Sequence, residues 1–156
     1  MPASAVAFIP LHWGNLMQGD TYGLESWADW QVTDKWRLSP GVRLLHKSLR
    51  FTSAASGLLG VAQAGDDPLA SAQLKSSLDF GPAITFDATL RYVDSLPNPV
   101  VPCYFELNAR LGWHASRTLE LSLSGANLLH ARHYEYAPPD GEEITRSVFA
   151  EARWNF

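Results

Sequence analysis

The chain has 156 residues, 46% of them hydrophobic and 18% charged, with a net charge of −4. That balance, without any basic run, excludes a nucleic-acid binder. A single cysteine, Cys103, excludes an intrachain disulfide framework or a cysteine zinc site, and no apolar stretch approaches the ~18 residues of a transmembrane helix.

From the N-terminus, "MPASAVAFIPLHWG" carries no Lys or Arg, so it lacks the basic start of a signal peptide. A weak alternating segment lies near residues 5–13. Clear strand alternation then recurs at 22–32, 36–44, 70–80, 84–92, 103–113, 119–123 and 148–156. Pro40 removes a ladder donor within the second of these, which predicts a bulge there. The last strand presents Val148, Ala150, Ala152, Trp154 and Phe156 on one parity and ends on the aromatic. Chain ends are usually polar and frayed, so this strand is expected to be held to its final residue.

Parity separates two chemistries, because successive side chains of a strand point to opposite faces. One face runs through Tyr22, Leu24, Trp30, Trp36, Leu44, Leu74, Phe86, Leu90, Leu107, Leu121 and the final strand, with no Asp, Glu, Lys or Arg on any segment. The other face carries 13 charges, six basic and seven acidic. One face therefore meets an apolar medium, with Leu107 and Leu121 turned towards it; the other meets water or polar protein, with Asn108 among its residues. A one-sign lining would suggest an ion-selective pore; a mixed one fits salt-bridged packing.

Connections alternate as well. Thr33-Asp34-Lys35, Gly81-Pro82-Ala83 and His114 to Thr118 are short; those near 47–68, 94–102 and 128–143 are long. In an antiparallel sheet this gathers short turns at one end and long loops at the other, as in transmembrane β-barrels. Trp30, Trp36, Phe80, Trp113, Trp154 and Phe156 fall at the short-turn end, where rings would meet lipid headgroups. The fold class read from these patterns is all-β, an antiparallel transmembrane β-barrel. A soluble β-sandwich, for instance a carbohydrate-binding module with exposed Trp, shares the alternation but not the loop pattern. Seven clear strands and a weak one also allow a stand-alone eight-stranded barrel.

Several stretches resemble TonB-dependent outer-membrane receptors. "GDTYGLESWADWQVTDKWRLSPGVRLLHKSLRF", with Tyr22-Gly23-Leu24-Glu25, is similar to a late hairpin of that family. "LRYVDSLPNPVVPCYFELNARLGW" resembles the strands that follow. "LELSLSGANLLHARHYEY", with Asn127-Leu128, resembles the penultimate strand, and "RSVFAEARWNF" the last. The resemblance covers about Ile9 to Phe156. It implies roughly seven to eight C-terminal strands of a barrel of about 22, around a plugged lumen. It also implies energised uptake of a scarce nutrient, most commonly an iron–siderophore complex, at the outer membrane of a Gram-negative bacterium. The partners implied are outer-membrane lipid, the remainder of the barrel and plug, the TonB complex and the barrel-assembly machinery, which reads the terminal aromatic. Signal peptide, plug and TonB box have no counterpart in these residues, so a receptor segment is expected across 1–156.

Ligand contacts are expected in the long loops, at Asn98, His130, His133, Tyr134 and Tyr136. His130 and His133, with Glu135 nearby, suggest a metal site. Two loop histidines three apart are ordinarily polar surface, and a His after Asn-Leu is common in such receptors, so neither metal nor cofactor is expected. Ser95, His46 and Asp94 lie near loops without a nucleophile motif around the serine, and no enzyme is expected.

Overall fold

The computed structural model describes residues 15–52, 67–97, 100–135 and 143–156. Within these the chain forms twelve strands and no helix: β1 (Met17–Trp27), β2 (Trp30–Thr33), β3 (Trp36–Phe51), β4 (Ala70–Phe80), β5 (Ile84–Val93), β6 (Leu96–Pro97), β7 (Val100–Val101), β8 (Tyr104–His114), β9 (Leu119–Ala126), β10 (Arg132–Tyr134), β11 (Glu143–Thr145) and β12 (Ser147–Trp154). Eight of them build one antiparallel sheet in the order β1-β3-β4-β5-β8-β9-β12, with β2 also paired to β3. Strands β1 and β12 are its edges and do not pair with each other. The weak segment near 5–13 lies outside the described residues.

Strands β4, β5 and β8 contain 11, 10 and 11 residues, the length that crosses a hydrocarbon layer at a tilt. Register preserves the parity read from the sequence. Leu74 pairs with Leu90 and Leu90 with Leu107, which puts three leucines in one row across the middle of the sheet. Trp113 pairs with Ile84 on one side and Leu121 on the other. On the opposite face, Glu25 meets Arg43, Asp87 meets Arg110, Arg91 meets Glu106 and Glu120 meets Arg153. Opposite charges directly across a ladder are favourable, and two of these pairs close to ion-pair distance, Arg91–Glu106 at 2.6 Å and Glu120–Arg153 at 3.8 Å.

Among the described residues no second layer covers the apolar face. Val101 is the single buried hydrophobic side chain among the described residues, while Leu24, Leu74, Leu111, Leu123 and Val148 are all exposed. A β-sandwich of this length would bury such residues against a facing sheet. A contiguous uncovered apolar surface of this extent needs a non-aqueous neighbour.

Two strand expectations are corrected. The segment 22–32 is not continuous: it breaks at Ala28–Asp29 between β1 and β2. Pro40 is the cause. Strand β3 pairs with β4 without interruption through Pro40↔Leu74, so no bulge forms there. The missing donor instead faces the β1–β2 side, where Ala28 donates its N–H to the Pro40 carbonyl at 3.0 Å. With no N–H from Pro40 in return, the neighbouring ladder opens, and Asp29 accepts a hydrogen bond from the Ser39 hydroxyl. Second, β3 runs beyond residue 44 to Phe51, paired throughout with β1. There His46, Ser48 and Arg50 replace apolar residues on its outer parity, and Tyr22 stacks on His46 at 4.7 Å. This ribbon rises past the apolar band.

The short turns carry their own chemistry. Gly81 adopts φ 75°, which suits glycine. In the β8–β9 turn the Ser116 hydroxyl accepts N–H bonds from Thr118 and Leu119 at 3.2 and 3.0 Å, a local serine turn. Strand β12 ends at Trp154, short of the chain end, and Asn155 N–H reaches the Thr118 carbonyl at 2.8 Å.

Candidate functional site

Two small hairpins, β6–β7 and β10–β11, leave the long-loop end of the sheet. The second is positioned by Asn127. This residue sits at φ 53°, a left-handed conformation that asparagine tolerates better than most side chains, and its side chain is 1% exposed. Its N–H donates to Asn108 Oδ1 at 2.9 Å and its Nδ2 donates to the Ile144 carbonyl at 3.0 Å. Leu128 N–H binds the Leu107 carbonyl at 2.8 Å. The turn therefore sends β10–β11 back towards the sheet. Asn108 also donates from Nδ2 to Glu106 Oε1 at 2.7 Å, so it braces this turn rather than simply facing water.

The returning hairpin closes a charged cluster. Arg91 on β5 donates through Nε and Nη2 to Glu106 Oε2 on β8 at 3.0 and 2.6 Å. The same Nη2 lies 2.6 Å from Glu135 Oε1, just past β10. Tyr104 donates its hydroxyl to that oxygen at 3.0 Å. Its ring stacks on His133, 4.3 Å between centroids, and lies 5.6 Å from the Arg91 guanidinium carbon. Next to the cluster is a concave pocket of about 550 Å³, lined in part by Glu25, Trp27, Arg43, Gln73, Arg91 and Tyr104. A second, wholly polar hollow of about 460 Å³ lies towards the short turns, with Lys35, Arg37, Asp79, Asp87, Arg110 and Glu120. Chemically, the first pocket offers an exposed indole, two guanidiniums and three carboxylates (Glu25, Asp94 and Glu135), a set whose indole stacks on rings and whose guanidiniums pair with anions.

Among the expected loop contacts, His133 is brought into the cluster, whereas His130 and Tyr134 are exposed on the hairpin. Asn98 and Tyr136 lie outside the described residues. Trp30, Phe80, Trp113 and Trp154 are exposed on the apolar parity at the short-turn end, with Phe156 beyond the last strand. Trp36 is half-buried and donates from its indole to Ser76 Oγ at 3.0 Å. Val148, Ala150 and Ala152 are exposed along β12. His46 stacks on Tyr22, while Asp94 Oδ1 accepts from Ser95 N–H at 2.8 Å. Trp27, Arg91, Glu106 and Tyr104 were not singled out from the sequence. The β5–β8 register would have aligned Arg91 with Glu106, but nothing local marks Glu135 as their third member.

Outside the sheet, Arg132 and Glu143 clamp β10 to β11 at 2.9 Å. The Arg132 hydrogen bond, first, and its charge hold the Glu143 carboxyl below its ordinary value. A carboxylate lowered on folding contributes stability above its unfolded pKa and loses it as pH falls through the folded one. Acidification through the carboxylate range should therefore loosen the hairpin, read as faster amide exchange at Arg132–Tyr134 after correction for the intrinsic rate, and Glu143→Gln should remove that pH dependence.

No family model matches the sequence, and no curated protein matches it. Solved structures do. The siderophore receptor PiuA from Acinetobacter baumannii superimposes with a TM-score of 0.67 over 86% of this chain and 21% of that one, at 22% identity. FpvAI, in its complex with pyocin S2, gives 0.69 over 87% of this chain and 20% of that one, at 14% identity. Over that span the chain shares the antiparallel β-barrel fold of these proteins. The chain spans about a fifth of the length of the receptors it matches. The charge-bearing positions and both hollows lie on one face of this sheet and the uncovered leucines on the other.

Proposed function

We propose that this chain is one wall of a TonB-dependent outer-membrane receptor for a scarce nutrient, most simply an iron–siderophore complex. The observation that carries this reading is a single sheet with one uncharged face that no described residue covers, one charge-bearing face, and two edges, β1 and β12, with no further strand beside them among the described residues. In the proposed barrel the first face is the outer one and the second the inner. In lipid, unpaired edge groups are not tolerated, so β1 and β12 need further strands beside them. That requirement favours a larger barrel over a stand-alone one of eight strands. The rest of the barrel, the plug and the TonB box belong to the remainder of such a receptor. The pocket bearing Trp27, Arg43 and Arg91 supplies the inner-wall contacts for an anionic, ring-bearing chelate.

The test is uptake. Cells carrying the protein should accumulate radiolabelled iron from a set of siderophores under iron limitation, and loss of TonB should abolish it. Uptake unaffected by removal of this protein would overturn the reading. The aromatic row at the short turns is the membrane girdle in this proposal, and Phe156 is the signal read by the assembly machinery. Deleting Phe156 should lower the heat-modifiable, folded fraction in outer membranes several-fold. An unchanged folded fraction would remove that role.

A further inference from the structure

We infer that Glu106, His133 and Glu135 form a binding site for a divalent transition-metal cation of the zinc type. One ligand atom from each lies within 4.8 Å of the others. The three come from two elements, Glu106 from β8 and His133 and Glu135 from the hairpin that Asn127 folds inward.

His133 is the independent mark. Its side chain is only 8% exposed, yet neither ring nitrogen has a hydrogen-bond partner among the described residues, and Nε2 lies 3.6 Å from Glu135 Oε1. A buried imidazole without partners is costly unless something occupies its lone pair. Neutral imidazole with carboxylates is a donor set suited to zinc. Ligand atoms around a tetrahedral zinc sit ~3.3 Å apart, given bonds of ~2.0–2.1 Å. The His133–Glu135 pair already has nearly that spacing, and small side-chain rotations bring Glu106 in.

Both carboxylates have the outer support that metal ligands require. Asn108 holds Glu106 from Nδ2 at 2.7 Å, and the Tyr104 hydroxyl holds Glu135 at 3.0 Å. Arg91 is the competitor, since its guanidinium now neutralises part of the two negative charges. Its side chain is 41% exposed, so it has open space on the inner face into which to withdraw. A divalent ion would take over from the guanidinium the neutralisation of both carboxylates, and it would tie the β10–β11 hairpin to β8.

The experiment is a zinc titration of the complete barrel that contains this wall, folded in detergent, with a chromophoric chelator as competitor. One zinc per chain, with micromolar or tighter affinity, is expected. Glu106→Gln and His133→Ala should each weaken it at least tenfold. Arg91→Gln should tighten it several-fold by removing the competing cation, and His130→Ala should leave it unchanged. Absence of zinc binding by the wild-type protein at 100-fold higher concentration overturns the site. So does binding that depends on His130 but not on His133, or binding that Arg91→Gln weakens. Because the wild-type titration alone can refute the site, variants that misfold do not shelter it.

Discussion

Leu74→Arg should abolish stable insertion of the folded protein, whereas Gln73→Arg, one residue away, should be tolerated. Leu74 lies in the row Leu74–Leu90–Leu107 at the middle of the apolar face. Gln73 is exposed on the inner face and lines the pocket. A cationic residue facing lipid at the bilayer midplane costs about 2–4 kcal/mol, and an inner-wall cation costs little. Heat-modifiable mobility of the complete barrel containing this wall, after refolding into vesicles, measures both. Equal tolerance of the two substitutions would refute the assignment of faces. Adjacent positions on one strand share length, propensity and edge environment, so only orientation separates them. Asn108, the inner-face position that sequence parity offers for such a comparison, is unsuitable because it holds the Asn127 turn and Glu106.

Asn127→Ala should detach the β10–β11 hairpin. It removes the amide that reaches the Ile144 carbonyl and leaves that acceptor without its donor. Losing a buried hydrogen bond in this way costs about 1–3 kcal/mol, and holding alanine at φ 53° adds about 1–2 kcal/mol. Tryptic cleavage after Arg132 should rise by at least tenfold, with the sheet intact. Asn127→Gly, which regains the backbone freedom but not the amide, should fall between the two. If glycine matched the wild type, the Nδ2 bond would have no role in holding the hairpin.

The sequence already carried the sheet's sidedness. Charges confined to one parity, three short turns alternating with long loops, and aromatics beside the turns are local patterns, and register preserved them. The Pro40 break was only half legible. Proline announces a missing donor, but which neighbour loses it depends on which side of β3 the residue faces. The Arg91–Glu106–Glu135 cluster was less legible still. Glu135 comes from a hairpin whose inward path is set by one left-handed asparagine. Asn127-Leu128 was visible as a motif, yet its function as a hinge required Asn108 and Ile144, distant in sequence, to be seen beside it.

A protein whose lone buried hydrophobic side chain among the described residues is Val101 has no interior to empty. In a water-soluble domain, trimming a core leucine to alanine costs about 2–5 kcal/mol, partly because a cavity is left behind. In the membrane setting proposed above, a trimmed outer leucine would be replaced by a lipid tail that fills the gap. The solvent repacks, and side-chain shape on that face is under little constraint beyond staying uncharged. Sequences built this way can drift far while the strands keep their places. Superposition at TM-scores of 0.67 and 0.69 with 22% and 14% identity is the outcome such freedom permits.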